Sequence, residues 1–404
     1  MAVTAALAVS TATVYAVADR ASDPDWKSCG DGTKAECTKL AVPIDHADPD
    51  GDTVDLGLAK LSAQDPENRR GTIIFHGGGP APSVPLLTDE PERFEELTQW
   101  FDVVSFDSRG LGTSEELCDA DKAPPVFPTL DSEETYRDQQ EANAAYAETC
   151  AADNPALAKH VSAEDVANDI DLIRQAVGED KIVYYGNFYG TVYGQEYAEH
   201  HGEHLERLLL DSVADHTVPY TQNWINAAPT ADAPLETFAK TCETDPECAL
   251  HGQDVLSVWD EVVTAAEAEP LPVSGGGTVS HFEIRNETYR DLTGDYGYRF
   301  AEALAQARDE GVGDVFAELR YTGTGSVGHL PRCLDFPTAP DDYESLLAAA
   351  PGARDIAPRV GWSNVLNTAW QCAGWPGSGT NPPRPLAADE APPTLLVNGT
   401  LDQA

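Results

Sequence analysis

The residues able to do chemistry stand where apolar runs end at glycines. Ile182 to Tyr185 is a short β-rich run, Gly186 and Gly190 bracket a tight turn, and the chain from Thr191 onward reads as a helix. A glycine-bracketed turn of this kind, G-x-S-x-G, holds a strained backbone that pushes a serine hydroxyl forward as a nucleophile. Here the middle residue is Phe188, whose benzyl group has neither a lone pair nor a labile proton and cannot attack a carbonyl. A second segment, His76-Gly77-Gly78-Gly79-Pro80, ends the buried-type run Gly71 to Phe75. Backbone N–H groups of Gly77, Gly78 and Gly79, together with that of Tyr189 just after the turn, are expected to converge on a developing oxyanion. Asp402 follows the run Thr394 to Val397 in V-N-G-T-L-D, the position from which an acid orients a histidine.

That histidine is absent, since none of the chain's ten follows Asp402. His76 beside the glycine loop and His216 after a strand end could line a pocket, but neither has the chain position of the base. The others, His46, His160, His200, His201, His204, His251, His281 and His329, mostly suit solvated surface roles. Ser83, Ser105, Ser108 and Ser212 offer hydroxyls, yet none sits on a strained turn, and hydroxyls at strand ends commonly form turns or caps. Asp107 and Arg109 in F-D-S-R-G are read as pinning a loop through an ion pair rather than as reactive groups.

The elements that must position these residues are legible from period and punctuation. A-V-P-I-D-H-A-D-P-D-G-D reads as a strand entering an acidic turn, and Thr53 to Leu61 alternates with period two, which predicts an antiparallel hairpin at a sheet edge. Phe101 to Phe106 is another strand. Residues 162–178 predict a helix, with Ser162 as N-cap, Asp165 three positions on, Val166, Ile170, Ile173 and Val177 on one face and Gly178 as terminator. Leu205 to Asp211 adds a further strand, so residues 71–215 alternate strand and helix as a parallel sheet covered on both faces does. From 218 to 328 the pattern turns helical, notably at 251–268 and 297–308, broken by S-G-G-G at 274–277, and predicts a lid.

With 404 residues, 41% hydrophobic and 23% charged, the chain can bury a large core. Its 69 acidic against 25 basic residues give a formal charge of -44, which argues against nucleic acid and anionic membranes as partners. Residues 1–18 are small and apolar and resemble the end of a secretory signal, or else a marginal membrane tether. Eight cysteines suit an oxidising compartment. Their order suggests Cys29 with Cys37, Cys118 with Cys150, Cys242 with Cys248 and Cys333 with Cys372, one of many connectivities that eight allow. They are not interleaved with histidines, so no structural metal is expected.

Taken together, H-G-G-G-P, F-D-V-V-S-F-D-S-R-G-L-G-T-S, D-L-I-R-Q-A-V-G, Y-Y-G-N-F-Y-G-T-V-Y-G-Q-E-Y-A, L-L-L-D-S-V, C-A-G-W-P around Cys372 and L-L-V-N-G-T-L-D resemble the secreted bacterial tripeptidyl aminopeptidase-like α/β-hydrolases over residues 26–404. The resemblance implies an α/β-hydrolase fold in a core of 26–217 and 329–404, a helical cap over 218–328, and residues 1–25 as signal remnant or leader. It also implies an exported serine exopeptidase that acts on peptides with a free N-terminus, without cofactor or metal, and it supports the neighbour pairing of cysteines; a monomer is expected. The family nucleophile falls on Phe188, its acid on Asp402, its oxyanion donors on Gly77, Gly78, Gly79 and Tyr189, and its histidine beyond the end. A last strand and helix are then missing, leaving 394–397 as an edge. Ala81 and Pro82 replace glycines of the family turn. The chain is thus expected to be inactive or strongly impaired; the alternative is a non-catalytic protein that binds a peptide or apolar ligand in the capped pocket.

Overall fold

The computed structural model describes residues 24–124, 132–289, 292, 294–320, 329–337, 342–348, 351–363, 366, 370–375, 379–400 and 402. The apolar leader and residues 321–328 at the end of the expected lid lie outside them. After the short β1 (Lys27–Ser28), the predicted hairpin forms from β2 (Glu36–Pro43) and β3 (Thr53–Leu61), in the register Leu40 opposite Leu56 and Val42 opposite Val54. Period-two alternation places Val54, Leu56 and Leu58 in the core.

The remaining strands of the main sheet are β4 (Thr72–His76), β5 (Asp102–Phe106), β6 (Ile182–Asn187) and β7 (Leu205–Asp211). A separate two-stranded ribbon, β8 (Leu271–Pro272) with β9 (Thr278–Val279), belongs to the lid, and β10 (Thr394–Val397) returns to the main sheet. The order is β1-β2-β3-β5-β4-β6-β7-β10, with β5, β4, β6, β7 and β10 mutually parallel. Such a sheet puts all its carboxyl ends on one edge, where β4 delivers the glycine loop, β6 the turn at Phe188 and β10 the aspartate. Among the described residues β10 pairs with β7 alone, and Leu395, Leu396 and Val397 are exposed.

Helices α1 (Val84–Asp89), α2 (Glu133–Asp153), α3 (Ala163–Ala176) and α4 (Gly190–His201) connect these strands. The predicted capping box starts α3: the Asp165 amide donates to Ser162 Oγ at 3.4 Å and the Ser162 amide to Asp165 Oδ2 at 3.1 Å. Its apolar face, Val166, Ile170 and Ile173, is buried, and Gly178 ends it at φ 78°. Ser162→Ala is expected to lower stability by about 1 kcal/mol in urea unfolding, and an unchanged midpoint would remove the cap from the account.

The segment expected to form the lid is built from α5 (Tyr220–Ala231), α6 (Ala233–Thr244), α7 (Val255–Ala268), α8 (His281–Tyr289), α9 (Gly294–Glu310) and α10 (Asp314–Leu319). It has its own core around Leu235, Phe238, Trp259, Val262, Phe300 and Phe316, separate from the cluster beneath the sheet. Where a helix over 251–268 is predicted, α7 begins only at Val255, because Asp254 caps it by accepting the Ser257 amide at 3.0 Å. The S-G-G-G break is the turn of the β8–β9 ribbon, with Gly276 and Gly277 at positive φ. Then α11 (His329–Asp335) brings the chain back under the sheet's carboxyl edge. Disulfides join Cys29 to Cys37, Cys118 to Cys150, Cys242 to Cys248 and Cys333 to Cys372. Among the described residues no helix is long and apolar enough to cross a membrane.

Candidate functional site

The turn after β6 has the backbone its glycines predict. Phe188 sits at φ 47°, a left-handed conformation that costs a residue with a Cβ of order 1 kcal/mol or more. It is held there because its N–H donates to the Asp211 carbonyl at 3.0 Å while its own carbonyl accepts the Thr191 amide at 2.9 Å. The flanking glycines are required by close approach: a Cβ on Gly186 would run into the Gly190 carbonyl, and one on Gly190 into the carbonyl of His76. The half-buried Phe188 ring packs against the sheet core. A reactive atom is what this position lacks.

The glycine loop lies against that turn. Gly78 and Gly79 have φ of 87° and 122°, and a Cβ on Gly78 would sit 2.8 Å from the Tyr189 amide nitrogen. The four expected oxyanion donors divide, however. The Gly77 N–H donates to Ser83 Oγ at 2.9 Å and the Gly78 N–H to His76 Nδ1 at 3.0 Å, so both are engaged within the loop. The amides of Gly79 and Tyr189 have no hydrogen-bond partner among the described residues. The correction has a local cause, since the chain between β4 and α1 curls back on itself and satisfies its own first amides.

Among the described residues neither candidate histidine is hydrogen-bonded to the turn at Phe188, although His76 lies against the Ser108 hydroxyl. His76 is fully buried, and burial pushes its pKa down to about 3, so the ring is neutral. With Nδ1 accepting from Gly78, its proton rides on Nε2, which lies 3.1 Å from Ser108 Oγ. His216 has Nδ1 2.8 Å from Glu196 Oε1 and Nε2 3.0 and 3.1 Å from the carbonyls of Asp335 and Asn381. Burial pulls its pKa down, but the Glu196 carboxylate and the Asp335 carbonyl outweigh it and the pKa is raised.

Asp402 stands past β10, where Oδ1 accepts from Ser212 Oγ at 2.7 Å and its carbonyl accepts from Thr230 Oγ1 at 2.9 Å. Asp107 does not pair with Arg109. It accepts the amides of Ser83 at 2.6 Å, Val84 at 2.8 Å and Thr113 at 2.7 Å, which fixes the far end of the glycine loop. Arg109 instead meets Asp169 of α3, a partner that no local pattern could name.

Two residues without any sequence signal stand behind the turn. Asp335, fully buried on α11, accepts from Tyr189 Oη at 2.6 Å, the Ala163 amide at 2.8 Å and Asn381 Nδ2 at 3.0 Å. Burial raises its pKa to about 7 against the counteracting pull of His216 and these donors. Arg332, one turn earlier, donates through Nη2 to the Gly79 carbonyl at 3.1 Å. The structure thereby braces the loop and the residue after Phe188 from a segment far downstream. A cluster of Glu196, Glu199 and His200 has ligand-like spacing, but the guanidinium of Arg384 already lies 3.1 Å from both carboxylates.

A parallel sheet carrying a strained strand-to-helix turn, a glycine loop and an acid on its carboxyl edge defines the α/β hydrolases, and the "alpha/beta hydrolase fold" family matches residues 71–258. A second family, described as "TAP-like protein", matches residues 358–404. The chain has the α/β-hydrolase fold and is similar to the tripeptidyl aminopeptidase-like α/β-hydrolases. It is 27% identical to the serine protease Hip1 of Mycobacterium tuberculosis over 422 residues, 95% of this chain and 79% of that protein. It is 25% identical to a tripeptidyl aminopeptidase of Streptomyces lividans over 94% of this chain and 75% of that one, and 26% identical to carboxylesterase B of M. tuberculosis over 95% and 80%.

Proposed function

We propose that this chain keeps the scaffold of a serine-type acyl-transfer hydrolase but lacks the acyl-enzyme step. The observation that carries the reading is Phe188: the turn has the φ of 47° of a nucleophile elbow, and its side chain can form no bond to a carbonyl carbon. Among the described residues the amides of Gly79 and Tyr189 have no partner, which is consistent with a retained oxyanion pocket that alone supports only residual catalysis. Peptides with a free N-terminus are the substrate class suggested by the tripeptidyl aminopeptidase relative, and the four disulfides suit an exported protein.

The test is exposure of the purified 404-residue chain to a fluorophosphonate probe and to chromogenic tripeptide amides. No covalent label and hydrolysis at the buffer rate are expected; stoichiometric labelling of the wild-type chain would overturn the proposal. Phe188→Ser restores a hydroxyl at the turn but brings no histidine to it, because His76 and His216 remain held elsewhere. Turnover by that variant is expected to stay at least ~10⁴-fold below that of a complete triad. The binding-protein reading, in which Phe188 serves as an apolar floor, predicts that unlabelled peptides raise the melting temperature of the wild-type chain. No shift across a tripeptide panel would count against it.

A further inference from the structure

The lid contains a cavity of its own, lined by none of the residues described at the hydrolase site. It has a volume of about 370 Å³ and lies between α6 and α9, where Pro234, Phe238, Leu292, Tyr298 and the Cys242–Cys248 disulfide form its walls. Gly297 keeps it open: a Cβ there would stand 3.3 Å from the Phe238 ring and press on the Leu292 backbone. The volume lies at the small end of ordinary ligand pockets, which suits one aromatic ring with a short tail.

One acid breaks the apolar lining. Asp245 faces the cavity with Oδ2 accepting from Tyr298 Oη at 2.6 Å and Oδ1 accepting from the Glu247 amide at 2.9 Å, so the carboxylate is oriented. Each oxygen retains a lone pair. The Tyr298 hydrogen bond, the largest influence on it, holds its carboxyl below the usual carboxylate range, and Glu247 and Asp295 add negative charge around Tyr298. Arg299, which follows Tyr298 on α9, is committed to Glu302 and Glu318, while the charge of His251 also acts on Asp245. An apolar slot with a fixed anion at its mouth, on a chain of formal charge -44, selects an apolar group that carries a positive charge.

We propose that the cavity between α6 and α9 is a binding site for small arylalkyl ammonium compounds, with the ring against Phe238, Leu292 and the disulfide and the ammonium on Asp245. The site does not depend on Phe188, so the proposal stands or falls separately from the reading of the hydrolase turn. The probe is 2-phenylethylammonium, titrated into the full chain by calorimetry beside its neutral isostere 2-phenylethanol. Saturable binding of the ammonium, at least about tenfold tighter than the alcohol, is expected. Asp245→Asn is expected to bring the two ligands to equal affinity, and Thr241→Trp, which fills the slot from an exposed lining position, to abolish both while circular dichroism and melting temperature stay wild-type. Absence of saturable binding to the wild-type chain, equal affinity for ammonium and alcohol, or undiminished binding in Thr241→Trp would each overturn the proposal.

Discussion

Arg109→Met is expected to destabilise the chain by about 3–5 kcal/mol, the loss that follows when one partner of a buried ion pair is removed. Arg109 is fully buried and makes a two-pronged contact with Asp169, Nε to Oδ2 at 2.7 Å and Nη2 to Oδ1 at 2.6 Å. The same guanidinium donates to the carbonyls of Ile44 at 2.7 Å, Pro43 at 2.9 Å and His160 at 2.9 Å. It therefore ties the end of β2, the turn after β5 and the entry to α3 to one point. Methionine fills much of the volume but leaves Asp169 a buried charge and three carbonyls without donors. Burial raises the pKa of Asp169, yet Arg109 outweighs it and the folded pKa lies below normal, so this stabilisation is present above the unfolded pKa and is lost as pH falls. The double variant Arg109→Met/Asp169→Leu removes the stranded charge and should recover part of the loss. Urea unfolding at neutral pH decides: a single-variant loss under ~1 kcal/mol, or a double variant weaker than the single, would show that the pair does not organise these elements.

Asp335 produces the second large effect, with the opposite sign. Its folded pKa is raised to about 7, because burial disfavours the anion more than Tyr189, Ala163, Asn381 and His216 favour it. The folded state then binds a proton that the unfolded chain releases near the ordinary aspartate value. Stability from this group is full below the unfolded pKa and is lost as pH rises through about 7, by a ceiling of ~4 kcal/mol if the whole shift counts. An asparagine side chain in its place can keep both acceptor bonds at Oδ1 and turn its amide toward Tyr189 Oη, which then accepts where it donated to Asp335 Oδ2. Asp335→Asn should accordingly match the wild type near pH 4 and be the more stable of the two at pH 8. The measurement is the difference between the two unfolding free energies across that range, which cancels the titration of every other group. Parallel profiles would mean that Asp335 does not titrate in this window.

Much of the frame behind these residues was legible because it depends on neighbours in the chain. Period-two alternation located β3, a capping box located α3, and Gly186 and Gly190 announced a turn whose positive φ appears at Phe188. The start of α7 was misplaced because the apolar pattern runs through residues whose backbone is diverted to the Cys248–Gln253 turns before Asp254 caps the helix. The ion pair expected in F-D-S-R-G involves only Arg109, since Asp107 is drawn to three backbone amides instead.

What the amino-acid order determined by itself is therefore the parallel-sheet frame, the helical character of the stretch after residue 218 and the absence of a nucleophile at residue 188, since each rests on residue type and short spacing. The engagement of the Gly77 and Gly78 amides, the choice of Asp169 for Arg109 and the placement of Asp335 against Tyr189 were decided only in the tertiary structure. Local patterns reach a turn or two along the chain. A hydrogen bond from residue 189 to residue 335 exists only once sheet, α3 and α11 have closed around the same buried point and left that carboxyl no water to face.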